Sequence, residues 1–154
     1  MASKLELAIH PPIVWAACAT MMLIVTRAFP AAVIGIPDRR IIALVIFIFA
    51  ILIAALAVGQ FTFKKTTVDP TRPQNASALV TNGVYRISRN PMYLALLLIL
   101  VAVGIRLDNW AALTLLPLFP LWITRFQIIP EERRLASRFG EELENYRKRT
   151  RRWI

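Results

Sequence analysis

The apolar positions of this chain fall into four long runs separated by short polar breaks. The first extends from Ile13 to Phe29 and stops at Pro30; as a helix its 17 residues would reach about 25 Å, enough for a slightly thin bilayer. The second, Ile41 to Phe63, holds only two polar side chains, Gln60 and Thr62, among 23 residues and gives about 34 Å. The third begins at Met92 and lasts 14 residues to Ile105, short for an independent span. Its start is well specified nonetheless. Asn90 is a good N-cap, and Pro91 fits the first helical position, where a missing N–H costs nothing. Arg106 can snorkel at the far end. The turn Leu107-Asp108-Asn109 leads into the fourth run, Trp110 to Ile129, in which Pro117 and Pro120 predict kinks that a membrane bundle tolerates. The third and fourth runs therefore read as a tight helical hairpin.

Beyond Ile129 the pattern changes. Pro130-Glu131-Glu132 places proline and acids in a first helical turn. Leu135, Phe139, Leu143 and Tyr146 then recur on one helical face, with charges around the rest. Gly140 weakens the middle, so this is one helix or two shorter ones, lying on the membrane surface or capping the bundle. The expected fold is an all-α integral membrane protein with about four transmembrane helices plus a C-terminal amphipathic helix. Residues 1–154 form a single domain in which 1–63 is an N-terminal transmembrane hairpin.

Composition agrees: 57% of residues are hydrophobic and the mean hydropathy is +0.56. The net charge of +10 raises the question of nucleic acid, and the placement of the charge answers it. Nine of the 19 basic residues lie between Arg125 and Ile154, beside five of the nine acids, and Lys64, Lys65, Arg72, Arg86 and Arg89 lie between the second and third runs. Basic residues beside membrane spans mark the cytoplasmic face and attract anionic lipid headgroups. Membrane lipids, not nucleic acid, are the expected partner, and both termini are expected in the cytoplasm. The 30–40 loop and the 106–109 turn face the other side. The N-terminus lacks the basic region and cleavage site of a secretory signal. Cys18 and His10 stand alone, so no internal disulfide and no Cys/His metal cluster is expected.

Candidate chemistry collects in two cytoplasmic stretches, Thr81 to Tyr93 and Arg125 to Tyr146. Asn82-Gly83 signals a turn, Arg86 and Arg89 precede a helix start that favours anions, and Tyr85 and Tyr93 offer rings and hydroxyls. The same residues also suit a basic loop at headgroup level with interfacial tyrosines. Arg125 either snorkels or faces the bundle interior. Glu131 and Glu132 complement the helix dipole or serve a site.

Leu79-Val80-Thr81-Asn82-Gly83-Val84-Tyr85-Arg86, followed by Ser88-Arg89-Asn90-Pro91-Met92-Tyr93-Leu94, resembles the central signature of the isoprenylcysteine carboxyl methyltransferase family and its phospholipid-methyltransferase relatives. Glu131-Glu132, Phe139-Gly140-Glu141-Glu142, Tyr146 and Arg151-Arg152-Trp153 are similar to that family's C-terminal signature, in order. Asparagine at position 90 resembles the prokaryotic branch, since eukaryotic members usually carry histidine there. The resemblance covers roughly Lys64 to the end and implies that 64–154 is a cofactor-binding, catalytic part. S-adenosylmethionine would donate its methyl in an in-line displacement, leaving S-adenosylhomocysteine. The acceptor would be lipophilic or amphipathic: an isoprenylcysteine-type carboxylate, a phospholipid amine or a small thiol. By position, Ser77, Ala78, Leu79, Val80 and Tyr85 would lie along the cofactor, Asn90, Pro91, Met92 and Tyr93 would form the helix start that holds it, and Glu131 would reach back to it. Arg125 and Arg89 would contact the substrate side. No metal is implied. The five glycines are never closer than about 20 residues apart, so a Gly-rich nucleotide loop is absent. Two other classes compete: a membrane sterol-type reductase using NADPH, and a small non-catalytic membrane protein.

Overall fold

The computed structural model describes residues 6–63 and 78–154. Helix α1 spans Pro11–Ala28 and α2 spans Arg39–Phe63. A 3₁₀ turn at Gly83–Arg86 precedes α3, Pro91–Leu107. The fourth apolar run is divided into α4 (Trp110–Leu113), α5 (Leu118–Ile123) and a π-helical segment, Thr124–Ile128, which continues into α6, Ile129–Arg149. Among the described residues the only β feature is one isolated bridge, Val33 to Asn109. Three helical stretches are long and apolar enough to cross a membrane, Pro11–Ala28, Arg39–Phe63 and the broken stretch Trp110–Arg149; α3 is a shorter apolar helix of 17 residues. This is an all-α membrane protein.

In lipid, apolar side chains gain nothing by leaving their surroundings, so helices associate where small residues let backbones approach. Helix α2 follows that rule: its buried residues are Ala43, Ala50 and Ala57, seven positions apart, while Phe47, Ile48, Leu52 and Leu56 face outward. Its main partner is α3. On α3, Gly104 serves the same purpose toward α1 and α4. A Cβ there would lie 2.4 Å from a Leu113 methyl and 3.0 Å from Met22 Cε. Around this contact Met22, Leu100, Phe119, Ile123 and Ile128 form the principal core.

The end of the bundle opposite the termini is closed by polar bonds. Asp108, in the left-handed conformation, ends α3, and its carboxylate accepts from the backbone N–H of Gly35 and Ile36 and pairs with Arg39. Asn109 caps α4 through Ala112 N–H and donates to the carbonyl of Phe29. The predicted hairpin is present. The prolines do more than kink the fourth run, because the helix is interrupted between Leu113 and Leu118.

Helix α6 bends at Gly140 (φ 44°, ψ −117°), a conformation that glycine tolerates. Its apolar face docks onto protein: Leu143 and Tyr146, with Leu135 and Phe139, pack on Ala57, Leu79, Val80 and Tyr85. The tail thus caps the bundle. The described N-terminal residues adjoin the start of α6, with Leu7 N–H donating to Phe126 and Glu6 pairing with Arg125 and Arg133. Both described ends of the chain therefore lie at the same end of the bundle.

Candidate active site

Three pieces of chain meet at that end: the loop before α3, the first turn of α3 and the first turn of α6. The Asn82-Gly83 signal marks a real turn. Gly83 has φ +58°, a conformation that favours glycine, and a Cβ there would sit 2.7 Å from Gln60 Nε2 and push that flexible side chain aside. The turn carries Tyr85 inward, where its ring meets Phe61 edge-on at 5.6 Å and its carbonyl accepts from the Tyr146 hydroxyl at 2.6 Å. The Tyr85 hydroxyl itself is buried without a partner. Burial, with the nearby Glu131 carboxylate, raises its pKa well above the ordinary phenol value, so the group stays a donor.

Asn90, expected to cap α3 with its side chain, does not. Its amide donates to the carbonyl of Arg152 at 2.9 Å, and its backbone N–H is taken by Ser88 Oγ. Tertiary contact with the C-terminal tail outweighs the local cap.

Glu131 and Glu132 are neighbours in sequence, but the helix turns them to different surroundings. Glu131 accepts a hydrogen bond from Tyr93 at 3.2 Å. Loss of water around its carboxylate pushes its pKa up to about 7; the Tyr93 bond opposes the shift and Glu132 adds to it. Glu132 is ringed by Arg152 at 2.8 Å, Arg89 at 3.1 Å and Arg147 at 3.5 Å. Burial lowers the pKa of Arg89, an effect Glu132 offsets. The Nε–H groups of Arg89 and Arg147 are buried without acceptors.

Two adjoining cavities occupy this junction, of about 300 Å³ and about 90 Å³. Phe61, Tyr85, Arg89, Asn90 and Glu131 line both. The larger falls at the lower end of small-molecule sites, roughly 300–1,000 Å³. Its remaining wall is mostly apolar, with Pro11, Pro12, Met92 and Leu96.

The sequence profile of the phospholipid methyltransferase family matches residues 39–142, which takes in α2, the loop, α3 and both glutamates. The chain belongs to the phospholipid methyltransferase family. A protein of uncharacterised function from Haemophilus influenzae (strain ATCC 51907 / DSM 11121 / KW20 / Rd) is 46% identical over 63 residues, which are 41% of this chain and 100% of that protein. No solved structure matches.

Within this phospholipid methyltransferase family member, the residues singled out in the sequence divide into three groups. Ala78, Leu79 and Val80 line the smaller cavity, Met92 and Tyr93 the larger, and Tyr85, Arg89, Asn90 and Glu131 both. Pro91 is buried at the start of α3 but lines a separate apolar hollow on the α2 side. Ser77 lies outside the described residues. Arg125 lies apart, exposed, with its guanidinium 3.1 Å from Glu6 and over the Phe126 ring. It lines neither cavity and snorkels as an arginine at a helix end does. Sequence reasoning missed Phe61, the arginine ring around Glu132 and His10, which lines the larger cavity. Phe61 looked like one more lipid-facing residue. Tyr146 was visible as part of a motif, yet nothing local showed its bond to Tyr85.

Proposed function

We propose that this protein is an S-adenosylmethionine-dependent methyltransferase working in the membrane on a lipophilic or amphipathic acceptor. The observation that carries this reading is the convergence of Tyr85, Arg89, Asn90, Tyr93 and Glu131 on adjoining cavities within the family-matched region. The residues fit the cofactor chemically. Glu131 offers an acceptor for ribose hydroxyls or the amino group. Tyr85 and Arg89, which line both cavities, carry donors for oxygen acceptors. Phe61, Met92 and Leu79 supply apolar surface for the nucleoside. When bound, S-adenosylmethionine supplies an electrophilic methyl group.

The protein's part is alignment and exclusion of water, and alignment alone is worth roughly 7–11 kcal/mol of a bimolecular barrier at its best. Tyr93 holds the Glu131 carboxylate in one orientation. The apolar wall of Pro11, Pro12, Met92 and Leu96 favours an acceptor that carries hydrocarbon. An isoprenylcysteine-type carboxylate, a phospholipid amine and a small thiol all meet that condition. Positive charge beside this end of the bundle orients it, with both termini, toward the cytoplasm.

Calorimetric titration of the detergent-purified protein with S-adenosylmethionine and S-adenosylhomocysteine, with NADPH as control, tests the reading. Saturable binding of the first two is expected. Binding of NADPH alone would replace the reading with a reductase, and no binding of any would return the protein to a non-catalytic role.

A further inference from the structure

The last residues of the chain lie beyond the family-matched region, 39–142, yet they bond to Arg89, Asn90 and Glu132, which line the cavities. Thr150 leaves α6 in an extended conformation (φ −132°, ψ 130°), and its hydroxyl donates to the carbonyl of Arg86. The carbonyl of Arg151 accepts the backbone N–H of Arg89 at 3.0 Å. The carbonyl of Arg152 accepts from the Asn90 amide at 2.9 Å and from the buried Ser88 hydroxyl at 3.4 Å. The Arg152 guanidinium makes two bonds to Glu132, Nε to Oε1 at 3.3 Å and Nη2 to Oε2 at 2.8 Å. Trp153 donates from its indole to Thr124 Oγ1 in the π segment at 3.3 Å. One short stretch is thus bonded to the loop before α3, to the first turn of α6 and to the π segment.

We infer that Thr150–Trp153 is a positioning element, which holds Arg89, Asn90 and Glu132 at the cavities so that a ligand meets a preformed site. The reasoning is geometric. Ile87, Ser88 and Asn90 place their backbone N–H groups on local acceptors, whereas the Arg89 N–H and the Asn90 side-chain amide need outside partners. The tail carbonyls are those partners, and they reach the backbone of Arg89 and the side chain of Asn90, which both line the two cavities. Glu132 then links a loop arginine, Arg89, to a tail arginine, Arg152. Trp153 also packs against the principal core, and Ile154 lines the apolar hollow between α2 and α3. Removing the tail should therefore loosen the site locally and lower overall stability as well.

This inference rests on the cofactor reading for its affinity arm and is independent of it for its exchange arm. A chain ending at Thr150 is compared with the full chain in detergent by melting, by amide hydrogen exchange and by titration with S-adenosylhomocysteine. Melting should fall because Trp153 leaves the core, while Arg89 amide exchange should be at least about tenfold faster relative to core amides and affinity at least about tenfold weaker, the scale of losing bonds to charged groups. Unchanged Arg89 exchange would overturn the inference, and so would full affinity in a chain whose Arg89 amide has been freed. Should the shortened chain fail to fold, point variants decide. Arg152→Gln should weaken binding severalfold and Arg152→Lys should recover part of it, whereas wild-type affinity in both would overturn the role. Should the full chain bind neither S-adenosylmethionine nor S-adenosylhomocysteine, the cofactor reading fails, and Arg89 exchange alone upholds or overturns the hold of the tail.

Discussion

The two ends of the bundle solve the same problem differently. At each, an irregular loop must be tied to the helical hairpin beside an apolar interior, where an unbonded polar group costs several kcal/mol. At the far end the ties are complete. Asp108 accepts two backbone N–H groups and pairs with Arg39, Asn109 both caps α4 and holds Phe29, and across the same junction Ile34 N–H donates to the Asp108 carbonyl and Trp110 N–H to the Ala32 carbonyl. At the near end the ties are numerous but incomplete. The Tyr85 hydroxyl and the Nε–H groups of Arg89 and Arg147 are buried without partners, and Tyr85 and Arg89 line a cavity of about 300 Å³. A saturated polar cluster holds a fold together, whereas unpaired polar groups at a cavity-lining cluster go with the proposed ligand site.

That contrast can be broken by substitution, and the largest effect is expected at the far end. Asn109→Ala removes a helix cap and a bond to a loop carbonyl at a fully buried position. It should cost about 2–3 kcal/mol of stability, measured by denaturation in detergent, while cofactor affinity in the folded fraction stays as in the wild type. A parallel fall in affinity would mean that the two ends are not separable.

Glu131→Gln should do the reverse. Affinity for S-adenosylhomocysteine should fall about 10- to 30-fold with the melting temperature maintained or raised. Full affinity in this variant would remove Glu131 from the site. Tyr93→Phe, which takes away only the bond to Glu131, should produce a smaller loss in the same titration.

The pH dependence sharpens the same point. Glu131 is pushed from its ordinary value of 4.5 to about 7 by burial, so the folded state binds its proton more tightly than the unfolded chain does. Stability from this group is fully present below the ordinary value and is lost as the pH rises through about 7. The melting temperature of Glu131→Gln minus that of the wild type should accordingly grow from about pH 5 to about pH 8. Over the same interval wild-type affinity should rise as the carboxylate ionises, and the variant should show a flat profile. The smallest effect is expected for Arg39→Ala, since Arg39 is the half-exposed partner of Asp108. It should lower the melting temperature slightly and leave cofactor affinity unchanged, and a loss of affinity there would place the site at the wrong end.

Much of the architecture was legible in the pattern of apolar residues because a bilayer demands it: spans of a given length, polar residues at their ends, and helices wherever backbone groups would otherwise lie bare in lipid. The four runs and the hairpin turning at Asp108-Asn109 followed from that demand, and the break at Gly140 from the weakness of glycine inside a helix. The signatures from Leu79 to Leu94 and from Glu131 onward likewise pointed to the family, and to Tyr85, Asn90, Tyr93 and Glu131 as candidates. The tertiary structure alone decided which of two adjacent glutamates faces an arginine ring and which bonds to Tyr93, because that depends on the rotation of α6 set by the π segment before it. It also decided that Asn90 bonds to the tail instead of capping its own helix, and that Arg125 stands apart with Glu6. Those partners lie 62 and 119 residues away in sequence. No local propensity encodes a bond at such range, and only the packing of the whole chain brings its two groups together.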